Sequence, residues 1–354
     1  MSQKTSAPKK ETVSVRMLQA IDRMNARRKN FLRRRPHRSF ILTRRRDYVR
    51  SLALPGYIAF TAYVLQTLSA HKKTFGCLIG VYVFCSIVFV SVASQDTYLE
   101  LADAVKTAGT QVELGAVFQA GGIFLGSITN SFGAGNTNSP QGAAQQIFGV
   151  LFGLMAWLST VWLLRNYLAR KPVRLRDALY SSGAPILPTF LLFLLLILQM
   201  MPLILAIIAY AAASLSGIFE QPIILMFFWG AAVLFGVLSL YLATTTLLAL
   251  VIITLPNMYP MQALRLAGDL VVGRRIRILL RFTWGLLIIL VAWALILIPL
   301  IMFYEILQEH LTLLSRIPLI PFVSTLLGCL SVVWFSSYVY LLYRKVVDDN
   351  ADPA

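Results

Sequence analysis

Six long apolar runs, separated by shorter polar segments, occupy most of the chain after residue 74. They lie at about residues 75–94, 144–168, 185–213, 222–255, 279–303 and 319–342. Each run, coiled as an α-helix, is long enough to cross the roughly 30 Å hydrocarbon core of a bilayer. The pattern predicts an all-α fold, a polytopic transmembrane bundle of six spans.

Two weaker apolar segments are predicted not to cross the bilayer fully. Residues 52–70 are broken by Pro55 and Gly56 and end at His71, which favours an interfacial elbow over a crossing. Residues 112–132 are only mildly apolar, and six glycines fall within residues 115–135. Close backbone packing explains such glycines, and a re-entrant segment that lines a cavity is the alternative.

Lysine and arginine collect in alternate loops between the spans. Residues 1–50, 165–176, 259–282 and 344–345 are basic and fall on one side of the membrane. Residues 95–141, 214–221 and 304–310 are acidic or neutral and fall on the other side, where Lys106 and Arg316 are the exceptions. Because loops rich in lysine and arginine stay in the cytoplasm, we predict that both termini are cytoplasmic and that residues 95–141 are extracytoplasmic. The plasma membrane is the expected location.

The composition is that of a membrane protein, and the distribution of charge marks the first 50 residues as a basic arm. The chain is 58% hydrophobic and 13% charged, against about 25% charged residues in soluble domains. Residues 1–50 contribute +13 of the net charge of +17. We therefore divide the chain into a partly disordered or amphipathic arm (1–50), a six-span domain (51–345) and a short cytoplasmic tail (346–354).

The arm has two candidate partners, both of them anionic. The first is an anionic lipid leaflet, to which each nearby basic residue contributes roughly 1 kcal/mol of binding free energy. The second is a protein with an acidic surface. Nucleic acid is not expected, because the arm has few aromatic residues on which bases could stack. The basic residues that we assign to lipid or partner binding are Arg27, Arg28, Lys29, Arg33, Arg34 and Arg35.

Residues 259–282, YPMQALRLAGDLVVGRRIRILLRF, form a candidate cytoplasmic elbow before the fifth span. A proline near the start and a glycine near the end predict a short interfacial helix, on which Arg265 and Asp269, four residues apart, are placed to pair. A similar basic segment with Pro172 and Ala178–Leu179 precedes the third span. The candidate residues of the elbow are Pro260, Ala263, Leu264, Arg265, Asp269, Gly273, Arg274, Arg275 and Arg277.

Part of this elbow resembles the six-span membrane domains that are fused to some glycerophosphodiester phosphodiesterases, and related stand-alone membrane proteins of unassigned function. The shared element is Pro-x-x-Ala-Leu ending in Gly-Arg-Arg ahead of an apolar span. The resemblance implies a six-span architecture over about residues 40–345. The soluble phosphodiesterase domain and its metal-binding carboxylates have no counterpart here, so the resemblance implies no catalytic residue.

The interiors of the six spans contain no Asp, Glu, Lys, Arg or His, which counts against a proton-driven transporter. Five uncharged positions near the membrane midplane remain as candidates: Gln199, Pro202, Thr244, Thr245 and Thr246. Proline inside a helix leaves a backbone carbonyl without its partner, and neighbouring hydroxyls can satisfy it. These positions indicate either a kink held by hydrogen bonds between helices or the polar lining of a solute path.

Sequence motifs predict no catalytic residue, cofactor or metal site. The three cysteines fall in apolar segments, and neither zinc-ligand spacing nor a phosphate-binding loop occurs. We expect a non-enzymatic integral membrane protein with an organising or accessory role for other membrane components. The alternative is a transporter or permease for an uncharged or lipid-like solute, and a lipid-handling membrane enzyme comes third.

Overall fold

The computed structural model describes residues 54–90, 143–215, 222–310 and 319–348. The chain divides into two units, Met1–Val49 and Arg50–Ala354, and every described residue belongs to the second unit. The predicted basic arm with its six candidate residues, the segment 112–132 and residues 349–354 of the tail therefore lie outside the described residues.

The described residues form helices and no strands. In chain order the α-helices are α1 Tyr57–Ala70, α2 Lys72–Cys85 (continued by a π-helical turn, Ser86–Val90), α3 Ala143–Leu168, α4 Leu175–Ser182, α5 Ile186–Leu215, α6 Pro222–Ile252, α7 Pro260–Val271, α8 Arg275–His310 and α9 Leu319–Asp348.

Six of these helices are long and apolar enough to cross a membrane, which confirms the predicted six-span architecture. Their apolar parts are Lys72–Phe89, Ile147–Leu168, Ile186–Tyr210, Ile223–Ile252, Arg275–Ile301 and Leu319–Val347. Five agree with the predicted spans within a few residues at each end, and the first begins and ends a few residues earlier than predicted. The polypeptide carries its own backbone hydrogen bonds inside each helix, as a bilayer without water requires.

The helix that contains the fifth span extends beyond the apolar part of that span. The prediction that residues 304–310 form a loop is wrong, because α8 continues without a break to His310 and reaches 36 residues, about 54 Å. The residues that follow Phe303 include Glu, Ile, Leu and Gln and no glycine or proline. Such residues continue a helix beyond the end of its apolar part.

The three short helices are elbows beside the long ones. Helix α1 has 14 residues, about 21 Å, which is shorter than a bilayer core, in agreement with the predicted elbow at residues 52–70. Helix α7 begins with Pro260 in its first turn, and Gly273 adopts a φ of 79° just after its end. Both features confirm the predicted start and end of this helix, because proline needs no N–H partner there and glycine tolerates a positive φ.

Helices α4 and α7 each pack one narrow face against the preceding span. Ala178 of α4 is fully buried, as are Ala263 and Ala267 of α7, and these small side chains allow close approach to α3 and α6, respectively. Arg265 and Asp269 lie on the exposed face of α7. An ion pair between exposed side chains one turn apart contributes at most about 0.5 kcal/mol, so burial of the alanine face positions this helix.

The bundle is packed unevenly. We call the end where α3, α6 and α9 finish and α5 and α8 begin the basic end. The main hydrophobic core lies there and is built from α1, α2, α3, α7, α9, the last third of α6, the first part of α8 and single residues of α4 and α5. In one 18-residue apolar stretch of each helix, 50% of residues are buried in α3 and 56% in α9, but only 11% in α5 and 6% in α6. Helices α5 and α6 therefore form a hairpin, the α5–α6 hairpin, whose outer part packs mainly on itself.

Candidate functional site

A cavity of about 570 Å³ opens at the basic end, between the final turns of α3 and α6 and the segment from α4 into α5. Its deeper wall is apolar and includes Leu158, Trp162 and Ile253. None of the described residues that line it is Asp or Glu. Its polar lining consists of Arg165, Asn166, Lys171, Ser181, Ser182, Thr254, Asn257 and Tyr259.

Arg165, in the last turn of α3, connects α3 to α6. Its Nη1 donates a hydrogen bond to the carbonyl oxygen of Thr254 over 3.1 Å, just past the last residue of α6. A cation is favourable there because a helix presents unpaired carbonyl groups at its C-terminal end. A guanidinium has five N–H donors, and in the part of the chain that the structure describes this is the one hydrogen bond that Arg165 makes to protein.

Lys171 reaches the cavity rim because the end of α3 turns back sharply. The Lys171 N–H donates to the Asn166 carbonyl over 3.1 Å, and the Arg170 N–H donates to the Tyr167 carbonyl over 2.9 Å. This pair of bonds is a Schellman motif, which needs a left-handed residue at the position of Arg170. Arg170 adopts that conformation, with a φ of 54°, and Lys171 remains exposed.

Other polar groups of the cavity are bonded to nearby backbone carbonyls. The Ser182 hydroxyl donates to the Leu179 carbonyl over 2.8 Å, and the Thr254 hydroxyl donates to the Val251 carbonyl over 2.7 Å. The Asn166 amide donates to the Trp162 carbonyl over 2.9 Å. Arg165 and Lys171 therefore supply the positive charge of the cavity and retain N–H donors for a ligand.

The elbow arginines at the start of α8 differ in their exposure. Arg277 is exposed and Arg275 is half-buried, whereas Arg274 has only 3% of its surface exposed. The Nη1 of Arg274 lies 3.5 Å from the Val346 carbonyl oxygen, so this arginine joins the start of α8 to the end of α9. Tertiary packing, rather than interfacial anchoring, determines its position.

Arg281 is a buried arginine that the sequence analysis did not single out. Only 7% of its surface is exposed, and its Nη2 donates to the carbonyl oxygen of Pro55. Its guanidinium also lies 4.1 Å from the ring centroid of Tyr57. It therefore holds the start of α1 against α8. The available signal was its position in the first turn of the predicted fifth span, where a charge next to an apolar run needs a specific partner.

The midplane candidates form a hydrogen-bonded contact between α5 and α6. The Thr246 hydroxyl donates to Gln199 Oε1 over 2.6 Å, so the hydroxyl bonds a side chain and not the carbonyl that Pro202 frees. The hydroxyl of Thr244 donates to Leu240 O over 2.8 Å, and that of Thr245 donates to Leu242 O over 2.9 Å. None of these five candidate positions lines the cavity.

Arg275, the first residue of α8, joins this polar group. The Nη2 of Arg275 lies 3.5 Å from the Thr245 hydroxyl oxygen, and its guanidinium lies 3.8 Å from the ring centroid of Tyr241. The Tyr241 face provides a cation–π contact. Among the described residues, no group of three or more His, Cys, Asp or Glu side chains could hold a metal ion.

No protein-family model, curated protein or solved structure gives a significant match to this chain. The resemblance of the elbow to the membrane domains of glycerophosphodiester phosphodiesterases therefore stays a prediction.

Proposed function

We propose that this chain is a non-enzymatic integral membrane protein with an organising or accessory role for other membrane components. The observation that carries the proposal is the α5–α6 hairpin. Its polar side chains near the midplane bond within the protein, and its outer apolar surface is left without helix partners in the part of the chain that the structure describes. A second membrane protein fits such a surface.

The polar side chains of the hairpin are poorly placed for passing a solute. Thr244 and Thr246 are fully buried, and each donates its hydroxyl to a group inside the protein. A solute path requires polar groups that exchange their partners for the solute. The bond from Thr246 to Gln199 instead supports a fixed contact between α5 and α6.

The outer part of the hairpin, which comprises α6 before Ser239 and the α5 residues packed against it, has an exposed apolar surface. No described side chain of α6 before Ser239 is buried, and exposed apolar side chains include Phe227, Leu234 and, on α5, Leu205. Ring contacts of 5.9 Å and 5.7 Å from Tyr210 to Phe228 and Trp229 hold the two helices together. Membrane helices associate by close packing, and a hairpin that is already ordered loses little conformational entropy on binding.

A photo-crosslinking residue at Leu234, which is 65% exposed, tests this proposal in intact membranes. We expect a discrete adduct with a second membrane protein, because Leu234 faces away from the described bundle. The matched control is Leu330 on α9, which is 46% exposed, and we expect lipid adducts only from that position. Lipid adducts alone from both positions, in a chain that purifies without a partner, would contradict the proposal.

A chain without residues 1–50 tests whether the basic arm takes part. If the arm docks the partner, the Leu234 adduct should weaken strongly in the truncated chain. An undiminished adduct would restrict the arm to lipid binding and leave the hairpin as the interface.

A permease for an uncharged or lipid-like solute is the second candidate. It is favoured by the row of polar groups from Gln199 and Thr246 to Thr245 and Arg275. Uptake into proteoliposomes that is lost in Thr246→Val, and kept in the control Thr283→Val, would favour it over the accessory role. Thr283 is a suitable control because it is exposed and its hydroxyl bonds only the Leu279 carbonyl. A lipid-handling enzyme remains third and rests on the resemblance alone.

A further inference from the structure

We infer that the cavity at the basic end binds the phosphate group of an anionic membrane lipid, held by Arg165 and Lys171. This site is lined by residues of α3, of the segment from α4 into α5 and of the segment after α6, and none of the candidate elbow residues Pro260 to Arg277 lines it. The inference does not depend on the proposed accessory role, because it concerns a different surface and a different ligand.

The charge of the cavity selects an anion. Arg165 and Lys171 line it without an opposing carboxylate among the described lining residues. Arg165 uses one donor on Thr254, and the remaining donors of its planar fork suit phosphate oxygens. Because Arg165 is half-buried, its charge is screened less by water than an exposed charge would be.

The depth and the apolar wall of the cavity favour a lipid over a soluble phosphate. Arg165 lies in the last turn of a membrane-spanning helix, which places it at the level of the lipid headgroups. Leu158, Trp162 and Ile253 provide an apolar surface beneath it. A lipid can cover that surface with its glycerol and upper acyl carbons, whereas inorganic phosphate cannot.

Lys171 distinguishes this inference from a purely structural role for Arg165. Arg165 also caps α6, so its removal affects the fold as well as the ligand. The Lys171 side chain is exposed and makes no recorded hydrogen bond or ion pair to the described part of the protein. Its neutralisation should therefore leave the fold intact and change only the affinity for an anion.

The experiment is native mass spectrometry of the full chain released from nanodiscs that contain equal amounts of phosphatidylglycerol and phosphatidylcholine. We expect one phosphatidylglycerol to be retained per chain, and Lys171→Gln and Arg165→Gln each to weaken retention about tenfold through loss of a charge-assisted hydrogen bond. The matched control is Arg176→Gln. Arg176 is exposed, belongs to the adjacent helix α4 and does not line the cavity, so retention should not change.

A second measurement does not depend on the folding of the Arg165 variant. The probe is phosphatidylglycerol with a nitroxide near the glycerol end of one acyl chain, and it should quench the tryptophan fluorescence of the parent chain. Trp162→Phe should remove a saturable part of that quenching. Equal retention of phosphatidylcholine, or equal behaviour of the Lys171 and Arg176 variants, would overturn the inference. Displacement of the lipid by millimolar inorganic phosphate would overturn the lipid as the source of the phosphate group.

Discussion

Tyr338 is the residue at which α1, α8 and α9 meet, and it is fully buried. Its hydroxyl donates to the carbonyl oxygen of Arg281 over 3.0 Å, and its ring lies edge-on to Phe60 at 4.9 Å. One turn beyond Arg281, Gly285 leaves just enough room for the Tyr338 ring. A Cβ on Gly285 would lie 3.2 Å from the ring atom Cε1, which is closer than ordinary packing allows.

Gly285→Ala should therefore destabilise the protein, although alanine favours a helix. The gain in helix propensity is about 1 kcal/mol, whereas overpacking of a well-filled core costs about 1–3 kcal/mol, and Tyr338 is held on several sides. We expect a lower midpoint of thermal unfolding in detergent. Gly80→Ala is the control, because a Cβ there meets nothing within 4 Å, and that variant should be as stable as the parent or more stable.

At the scale of one element, the end of α3 shows how a local motif supplies a residue to the cavity. The Schellman motif places a non-glycine residue, Arg170, in the left-handed conformation, which costs roughly 1–2 kcal/mol for an L-residue. The turn is nevertheless formed, since it satisfies the last carbonyls of α3 and brings Lys171 to the rim. Strain at Arg170 is thus the local consequence of ending this helix beside the cavity.

Arg170→Gly should relieve this strain and raise the free energy of unfolding by about 1 kcal/mol. The comparison is Arg176→Gly, inside α4, where glycine should lower the free energy of unfolding because the backbone is helical. Chemical denaturation in detergent measures both. Destabilisation by both variants would show that the arginine side chain at position 170, rather than its backbone, matters for stability.

For the molecule as a whole, the basic end defines which way the bundle faces. The charges at this end come from segments that are far apart in sequence, such as 165–176 and 274–281. Their common location follows from the antiparallel succession of the helices. The positive-inside rule predicts that this end faces the cytoplasm.

Cysteine labelling in sealed vesicles checks the orientation. In a chain from which Cys77, Cys85 and Cys329 have been replaced, Arg176→Cys and Asn350→Cys should react with a membrane-impermeant maleimide from the cytoplasmic side only. Gly217→Cys, in the predicted extracytoplasmic turn, should react from the opposite side only. Labelling of Arg176→Cys and Asn350→Cys from opposite sides would contradict the even number of crossings between them.

Local sequence determined the number of spans, the all-α fold and the limits of α7. The length of an apolar run decides whether a helix can cross a bilayer, Pro260 starts α7 because proline needs no N–H partner in the first turn, and Gly273 follows its end because glycine accepts a positive φ. Each of these properties belongs to one segment and its solvent. The same local reasoning did not indicate that α8 continues past Phe303 to His310, because it followed hydropathy and not helix propensity.

Only the tertiary structure decided which polar residues act together. Arg165 meets Thr254 across 89 residues of sequence, Arg281 meets Pro55 across 226, and the cavity forms where three separate segments end. An apolar helix is nearly uniform around its circumference, so its hydropathy does not indicate which face meets another helix. In a membrane that choice depends on side-chain packing and on hydrogen bonds between helices, which exist only once the helices have assembled.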